Sequence, residues 1–207
     1  VWSEVECTQA TARYSREIVI PRTLRGKRMF LRFGGVSSEA NLFVNGKHVG
    51  EHRGAYTAFT FEITDKVRYG ETNSIMVMVS NTPQSDLLPI SSDLNTYGGI
   101  YRDVELIVTN RNIISPTFYS SSGVLVEQHE VSEERASGVV KVHLSPMDDG
   151  AHHVTVRFVA EDGYEVCRYS TKAGKADVQQ AIELPYPIDY PELWSLNSPK
   201  MYRVEAI

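Results

Sequence analysis

The residues best suited to chemistry in this sequence gather in one irregular stretch. From Asn81 to Gly99 it reads NTPQSDLLPISSDLNTYGG, and Asp93, Asn95 and Tyr97 alternate within it. A carboxylate accepts hydrogen bonds from hydroxyls, a carboxamide both donates and accepts, and an aromatic ring offers an apolar face. A sugar needs those groups, because its hydroxyls take both kinds of partner and its ring carbons stack on aromatics. By composition alone the same stretch also reads as a solvated connection between distant strands of a Greek key. Long irregular loops are uncommon in compact domains, however, and are disproportionately functional.

Other chemistries find less support. His152 and His153 are adjacent, so on a strand they point to opposite faces and cannot share one ion. His48 and His52 flank Gly50 near an expected hairpin and read as exposed turn residues. No Cys or His cluster has zinc spacing, and neither a metal nor a cofactor is expected. There is no Gly-x-Ser-x-Gly, no phosphate loop and no Gly-x-Gly-x-x-Gly. The paired carboxylates Glu133-Glu134 and Asp148-Asp149 fall in expected turns, where solvation explains them. No residue is assigned a catalytic role.

Composition narrows the class. The 207 residues are 42% hydrophobic and 23% charged, with a net charge of −5 and interspersed signs. That balance supplies real cores but no basic footprint for nucleic acid. No apolar run approaches the roughly 20 residues of a membrane helix, so no membrane partner is expected. Cys7 and Cys167 lie far apart, which argues against a disulfide framework.

The elements that must position the loop are strands. Met29, Leu31 and Phe33 alternate, as do Ala40, Leu42 and Val44, then Phe59, Phe61 and Ile63, then Ile75, Val77 and Val79, and finally Val104, Leu106 and Val108. Asn45-Gly46 predicts a type I′ hairpin into Lys47–Val49, and Thr64-Asp65 the cap of one short helical turn. The segment Asn110–Pro116 reads as a boundary. Beyond it strands are expected near Gly123–Gln128, Val139–Leu144, His153–Ala160, Glu165–Ser170, Val178–Leu184 and Met201–Ala206. Six strands where about seven are usual suggest an immunoglobulin-like sandwich truncated at its last strand near Ile207.

Taken in order, the motifs resemble a known family. Leu31–Val36 (LRFGGV), Ala40–Gly50 (ANLFVNGKHVG) and Gly54–Asp65 (GAYTAFTFEITD) resemble the sugar-binding domain of family 2 glycoside hydrolases. Tyr97–Val104 (YGGIYRDV) is similar to the motif closing that domain, and Pro191–Tyr202 (PELWSLNSPKMY) to a segment late in the family's immunoglobulin-like second domain. The resemblance spans nearly the whole chain. It implies an all-β architecture: a jelly-roll-like, galactose-binding-type β-sandwich over 1–110 and an immunoglobulin-like β-sandwich over 111–207.

The resemblance also implies that catalysis belongs to a (β/α)₈ barrel outside this sequence, with two glutamates as acid/base and nucleophile of a retaining glycosidase. Such a barrel runs to about 250 residues and cannot fit here. The partners implied are a terminal β-glycoside and the protein's own C-terminal barrel. β-Galactosidase activity is expected first and β-glucuronidase next, with this chain alone inactive. Asp93 takes the place of an aspartate that contacts the non-reducing sugar, with Asn95 and Tyr97 as companions and an Arg102–Asp103 pair bracing the edge. Two other readings compete. One is a stand-alone carbohydrate-binding module whose platform would use Tyr14, Phe43 and Tyr56; the other treats both domains as scaffold for a homo-oligomer.

Overall fold

The structure is a computed structural model of the 207-residue chain. It describes residues 9–87, 98–145, 150, 152–174 and 180–207. Among the described residues, fifteen strands and one 3₁₀ turn make up the regular elements. The chain divides into two compact units, Val1–Asn110 and Arg111–Ile207.

The first unit carries β1 (Thr11–Val19), a 3₁₀ turn (Arg22–Leu24), β2 (Arg28–Phe33), β3 (Val36–Ser37), β4 (Glu39–Val44), β5 (Lys47–Arg53), β6 (Phe59–Glu62), β7 (Thr72–Ser80), β8 (Gly99–Ile100) and β9 (Val104–Thr109). One sheet has the order β1-β7-β4-β5, a second β6-β2-β9, and β3 pairs with β8. All these pairings are antiparallel. The sequence alternation becomes a shared core: Leu42 and Val44 on β4, Val77 and Val79 on β7, and Met29, Leu31 and Phe33 on β2 are all buried in one cluster. Burying each such side chain contributes about 1.5–3 kcal/mol. Phe30 is fully buried too, although it lies on the other face of β2.

Asn45 and Gly46 both take positive φ, 52° and 77°, so the turn between β4 and β5 is the one their residue types favour. Thr64 does not cap a helix. Its hydroxyl accepts from the Met29 amide at 3.0 Å and donates to Glu62 at 2.7 Å, bracing a turn instead. No helical period follows Asp65, so there is no helix for it to cap.

The second unit carries β10 (Val124–Val131), β11 (Arg135–Val142), β12 (His152–Val159), β13 (Glu165–Ala173), β14 (Ile182–Asp189) and β15 (Arg203–Ala206). They form two three-stranded sheets, β10-β11-β14 and β13-β12-β15. Val140, Val142, Val156, Phe158, Leu184 and Tyr186 fill the core between them. β14 runs on through Pro185 and Pro187, farther than the prolines suggest. As an edge strand it needs no amide donor on its free side, so both prolines are tolerated there.

Candidate functional site

Asp93, Asn95 and Tyr97 lie outside the described residues. What the structure shows is how the stems leading to them are held.

On the entering side, β7 ends at Ser80 and Gln84 bridges to Leu87. Arg53, at the end of β5, reaches across with a forked pair of bonds to Asp86, at 3.0 and 2.9 Å, and a third to Gln84 Oε1. Gln84 in turn donates to Glu39 at 2.7 Å. A planar guanidinium meeting a carboxylate with two parallel bonds fixes orientation as well as distance. Hydrogen bonding to Arg53 and its charge hold the Asp86 carboxyl below its ordinary pKa, and the same contact raises that of Arg53.

On the returning side, glycines make the close approaches. Gly98 lies against Asn81, where an added Cβ would sit 2.7 Å from the Asn81 side chain. Gly99 has φ 107°, and a Cβ there would come within 2.5 Å of the Tyr14 hydroxyl. Tyr101 then donates to the Ala55 carbonyl at 2.5 Å, and its ring crosses Gly35, where a Cβ would be 2.7 Å from the hydroxyl oxygen. Arg102 does not pair with Asp103. It donates to the carbonyls of Gly34 and Tyr56 at 3.3 and 3.2 Å, while the Asp103 carbonyl accepts from the Gly34 amide. The Arg102 guanidinium is turned toward those carbonyls instead, away from the expected pairing. Arg102 still braces the edge, through backbone carbonyls. Both stems are therefore tied to one short segment, Arg53–Tyr56.

His48 and His52 sit on β5 rather than in turns. His52 stacks on Phe59 with ring centroids 4.1 Å apart, and burial pushes its pKa down. His48 packs edge-on against Phe43 at 5.1 Å. Among the described residues no group of His, Cys, Asp or Glu could hold a metal. Cys167 is a free, half-buried thiol whose pKa burial pushes up.

The aromatic platform of the binding-module reading does not assemble. Tyr14 pairs with Val77 on the core-facing side, whereas Phe43 pairs with Met76 on the outer side. Tyr56 lies off the strands altogether. The Arg53 clamp escaped sequence reasoning because nothing in a one-dimensional pattern relates Arg53 to Asp86, 33 positions on.

Comparison with known proteins assigns this geometry. Residues 2–110 match the family described as glycosyl hydrolases family 2, sugar binding domain. A β-glucuronidase of Bacteroides fragilis is 42% identical over 205 residues, covering 97% of this chain and 29% of that protein. A β-galactosidase of Thermoanaerobacter pseudethanolicus is 28% identical over 196 residues, covering 93% and 25%. A crystal structure of a Bacteroides uniformis β-glucuronidase superposes with a TM-score of 0.83 at 29% identity, over 96% of this chain and 24% of that one. The chain thus spans between a quarter and three-tenths of the length of these two curated relatives. With an all-β fold, the family's motifs in order and a family match over the whole first unit, this chain belongs to glycosyl hydrolases family 2.

Proposed function

We propose that this chain is the non-catalytic front of a retaining β-glycosidase, giving the enzyme a scaffold and a substrate-rim loop. The observation that carries the reading is the 42% identity to a β-glucuronidase along 97% of the chain. That identity supports placing β-glucuronides ahead of β-galactosides, the reverse of the order expected from the resemblance. Hydrolysis would belong to a glutamate pair in a barrel elsewhere in the polypeptide, through a covalent glycosyl intermediate. In this reading Asp93 accepts hydrogen bonds from two hydroxyls of the non-reducing sugar, and Asn95 and Tyr97 complete the rim. The clamped stems favour that role, because charge-assisted bonds orient a ring only if the carboxylate itself is held in place.

The test compares three proteins on p-nitrophenyl β-D-glucuronide and β-D-galactoside: the product of the complete gene, its Asp93→Ala variant and the 207-residue chain. The complete product should hydrolyse the glucuronide better, and the 207-residue chain neither substrate. Asp93→Ala should lower kcat/KM about 10- to 100-fold, the loss of hydrogen bonds to a charged group. Unchanged kinetics in that variant would remove Asp93 from the rim. A complete gene product that hydrolyses neither glycoside, with the 207-residue chain binding a monosaccharide at micromolar Kd by calorimetry, would establish the binding-module reading instead.

A further inference from the structure

The sequence contains one Asn-Gly pair, Asn45-Gly46, and it forms the whole loop between β4 and β5, where Val44 pairs with Lys47. This is the dipeptide most prone to lose ammonia from a side-chain amide, because glycine puts no side chain in front of the attacking main-chain nitrogen. Nothing crowds that nitrogen from outside. Gly46 is exposed, and a Cβ built on it would meet no atom within 4 Å. Access alone would leave the pair reactive.

The Asn45 side chain is what holds it back. Nδ2 donates both its hydrogens, to the Lys66 carbonyl at 2.9 Å and to Asn73 Oδ1 at 2.8 Å, while Oδ1 accepts from the Ser74 amide at 3.1 Å. The main-chain amide of Asn45 also donates to the Ser74 carbonyl at 2.8 Å. These partners cannot turn aside: two are backbone groups, and Asn73 is fully buried and fixed by its own bonds to Arg68 and Glu71. Ring closure needs Cγ to swing onto the Gly46 nitrogen, so the carboxamide must leave all three bonds. At a net factor of about five per bond, that slows the step about 100-fold.

We propose that Asn45 is a deamidation site held shut by the fold, whose conversion records each opening of the β4–β5 turn and then weakens the refolded state. The Gly46 nitrogen gives up its proton and bonds to Asn45 Cγ, the Cγ–Nδ2 bond breaks, and ammonia leaves with that proton. Water then adds to one carbonyl of the resulting five-membered imide. Opening at Cγ yields aspartate; opening at the main-chain carbonyl yields isoaspartate. One water enters, one ammonia departs, and nothing is oxidised or reduced.

Neither product fits the site. Aspartate places an oxygen without hydrogen where Nδ2 stood, against the Lys66 carbonyl and Asn73 Oδ1, both acceptors. Asn73 cannot flip to offer its own Nδ2, since that would break its bonds to Arg68 and Glu71. Isoaspartate routes the chain through the side chain and adds a backbone atom to a two-residue loop, so Val44 and Lys47 lose their register. A molecule once converted therefore opens more readily than before.

Peptide mapping by mass spectrometry of the complete gene product, kept at mildly alkaline pH, reads the conversion directly. Asn45 should convert about 100-fold more slowly in the folded protein than in strong urea, where its rate should match that of the peptide Leu42–Val49. Urea added below the unfolding transition should raise the native rate, because opening becomes more frequent. Asn73→Ala removes one tether without altering the sequence around Asn45, and should raise it about tenfold or more. Asn45→Asp, built directly, should shift the unfolding equilibrium of the first unit about 30-fold toward the unfolded side at neutral pH, and recover part of that below about pH 4. Conversion as fast in the folded protein as in strong urea overturns the proposal. So does a native rate that neither Asn73→Ala nor dilute urea changes, and so does an Asn45→Asp variant as stable as the parent. The urea series needs no variant, so a folding defect cannot imitate its result.

Discussion

Asn73 offers the sharpest test of how the first unit is held together. It is fully buried, and its carboxamide is completely satisfied. Oδ1 accepts from the Arg68 amide at 2.7 Å and Asn45 Nδ2 at 2.8 Å; Nδ2 donates to the carbonyls of Arg68 at 2.8 Å and Glu71 at 3.0 Å. Asn45 also donates to the Lys66 carbonyl and accepts from the Ser74 amide, so one buried amide ties the β4–β5 turn to the loop entering β7. Asn73→Ala removes four bonds at about 1 kcal/mol net each, and water entering beside exposed Arg68 and Glu71 returns part of that loss. The expected cost is about 3 kcal/mol, a large share of the about 5–15 kcal/mol that stabilises a domain. At about 4–8 °C per kcal/mol for a unit of this size, the corresponding melting step should fall by roughly 12–24 °C in calorimetry. Asn73→Asp supplies the sign. Its second carboxylate oxygen would face two carbonyls, raising the folded pKa above the unfolded value of about 3.9. Folding then takes up protons, so this variant approaches the parent below about pH 4 and loses stability as pH rises through the raised pKa. A loss under about 1 kcal/mol for Asn73→Ala, or pH-independent stability for Asn73→Asp, would refute the reasoning.

Other outcomes follow from equally local features. Burial raises the Glu62 pKa, but hydrogen bonds from Arg28 and Thr64 outweigh it and hold the carboxyl below its ordinary value. Glu62→Gln should therefore cost about 1 kcal/mol at neutral pH, and urea melts should show that advantage fading as pH falls below about 4, where the carboxylate is protonated. Gly138→Ala would place a Cβ 1.9 Å from the Glu127 carbonyl oxygen, and backbone cannot yield cheaply. Calorimetry should show the step belonging to the second unit lowered by about 3 kcal/mol or more, with that of the first unit unmoved. Burial, and then the charge of Cys167, push the Tyr169 hydroxyl up to about 12. An alkaline absorbance titration should contain a tyrosine ionising near that value that disappears in Tyr169→Phe.

What was legible in the sequence was whatever depends on period and turn chemistry. Period-2 runs place Leu42, Val44, Val77 and Val79 on one face, and the Asn45-Gly46 turn follows from tolerance of positive φ. The Thr64 cap was misread because a hydroxyl bracing a turn and one capping a helix carry the same local signature. β14 was read short because proline's meaning depends on whether a strand is central or at an edge, which only tertiary structure decides. The stem clamp was invisible for a related reason: Arg53, Asp86, Gln84 and Glu39 meet only after β4, β5 and β7 have paired. The motif around Tyr101 was readable as a family signature, yet its physical content, glycines cleared for a tyrosine ring and an arginine, needed coordinates.

The tethering of both stems to Arg53–Tyr56, with Asn81 against Gly98, bears on how such proteins diversify. Once the two ends of a loop are fixed side by side by contacts of their own, the sandwich no longer senses how many residues run between them. Closing a flexible loop costs only about 0.6 kcal/mol more for each doubling of its length. Added length between Leu87 and Gly98 should therefore change the melting temperature of the first unit little. Change between the stems and change in the core could then proceed separately, which makes the Arg53–Asp86 contact a point at which one scaffold tolerates many insertions.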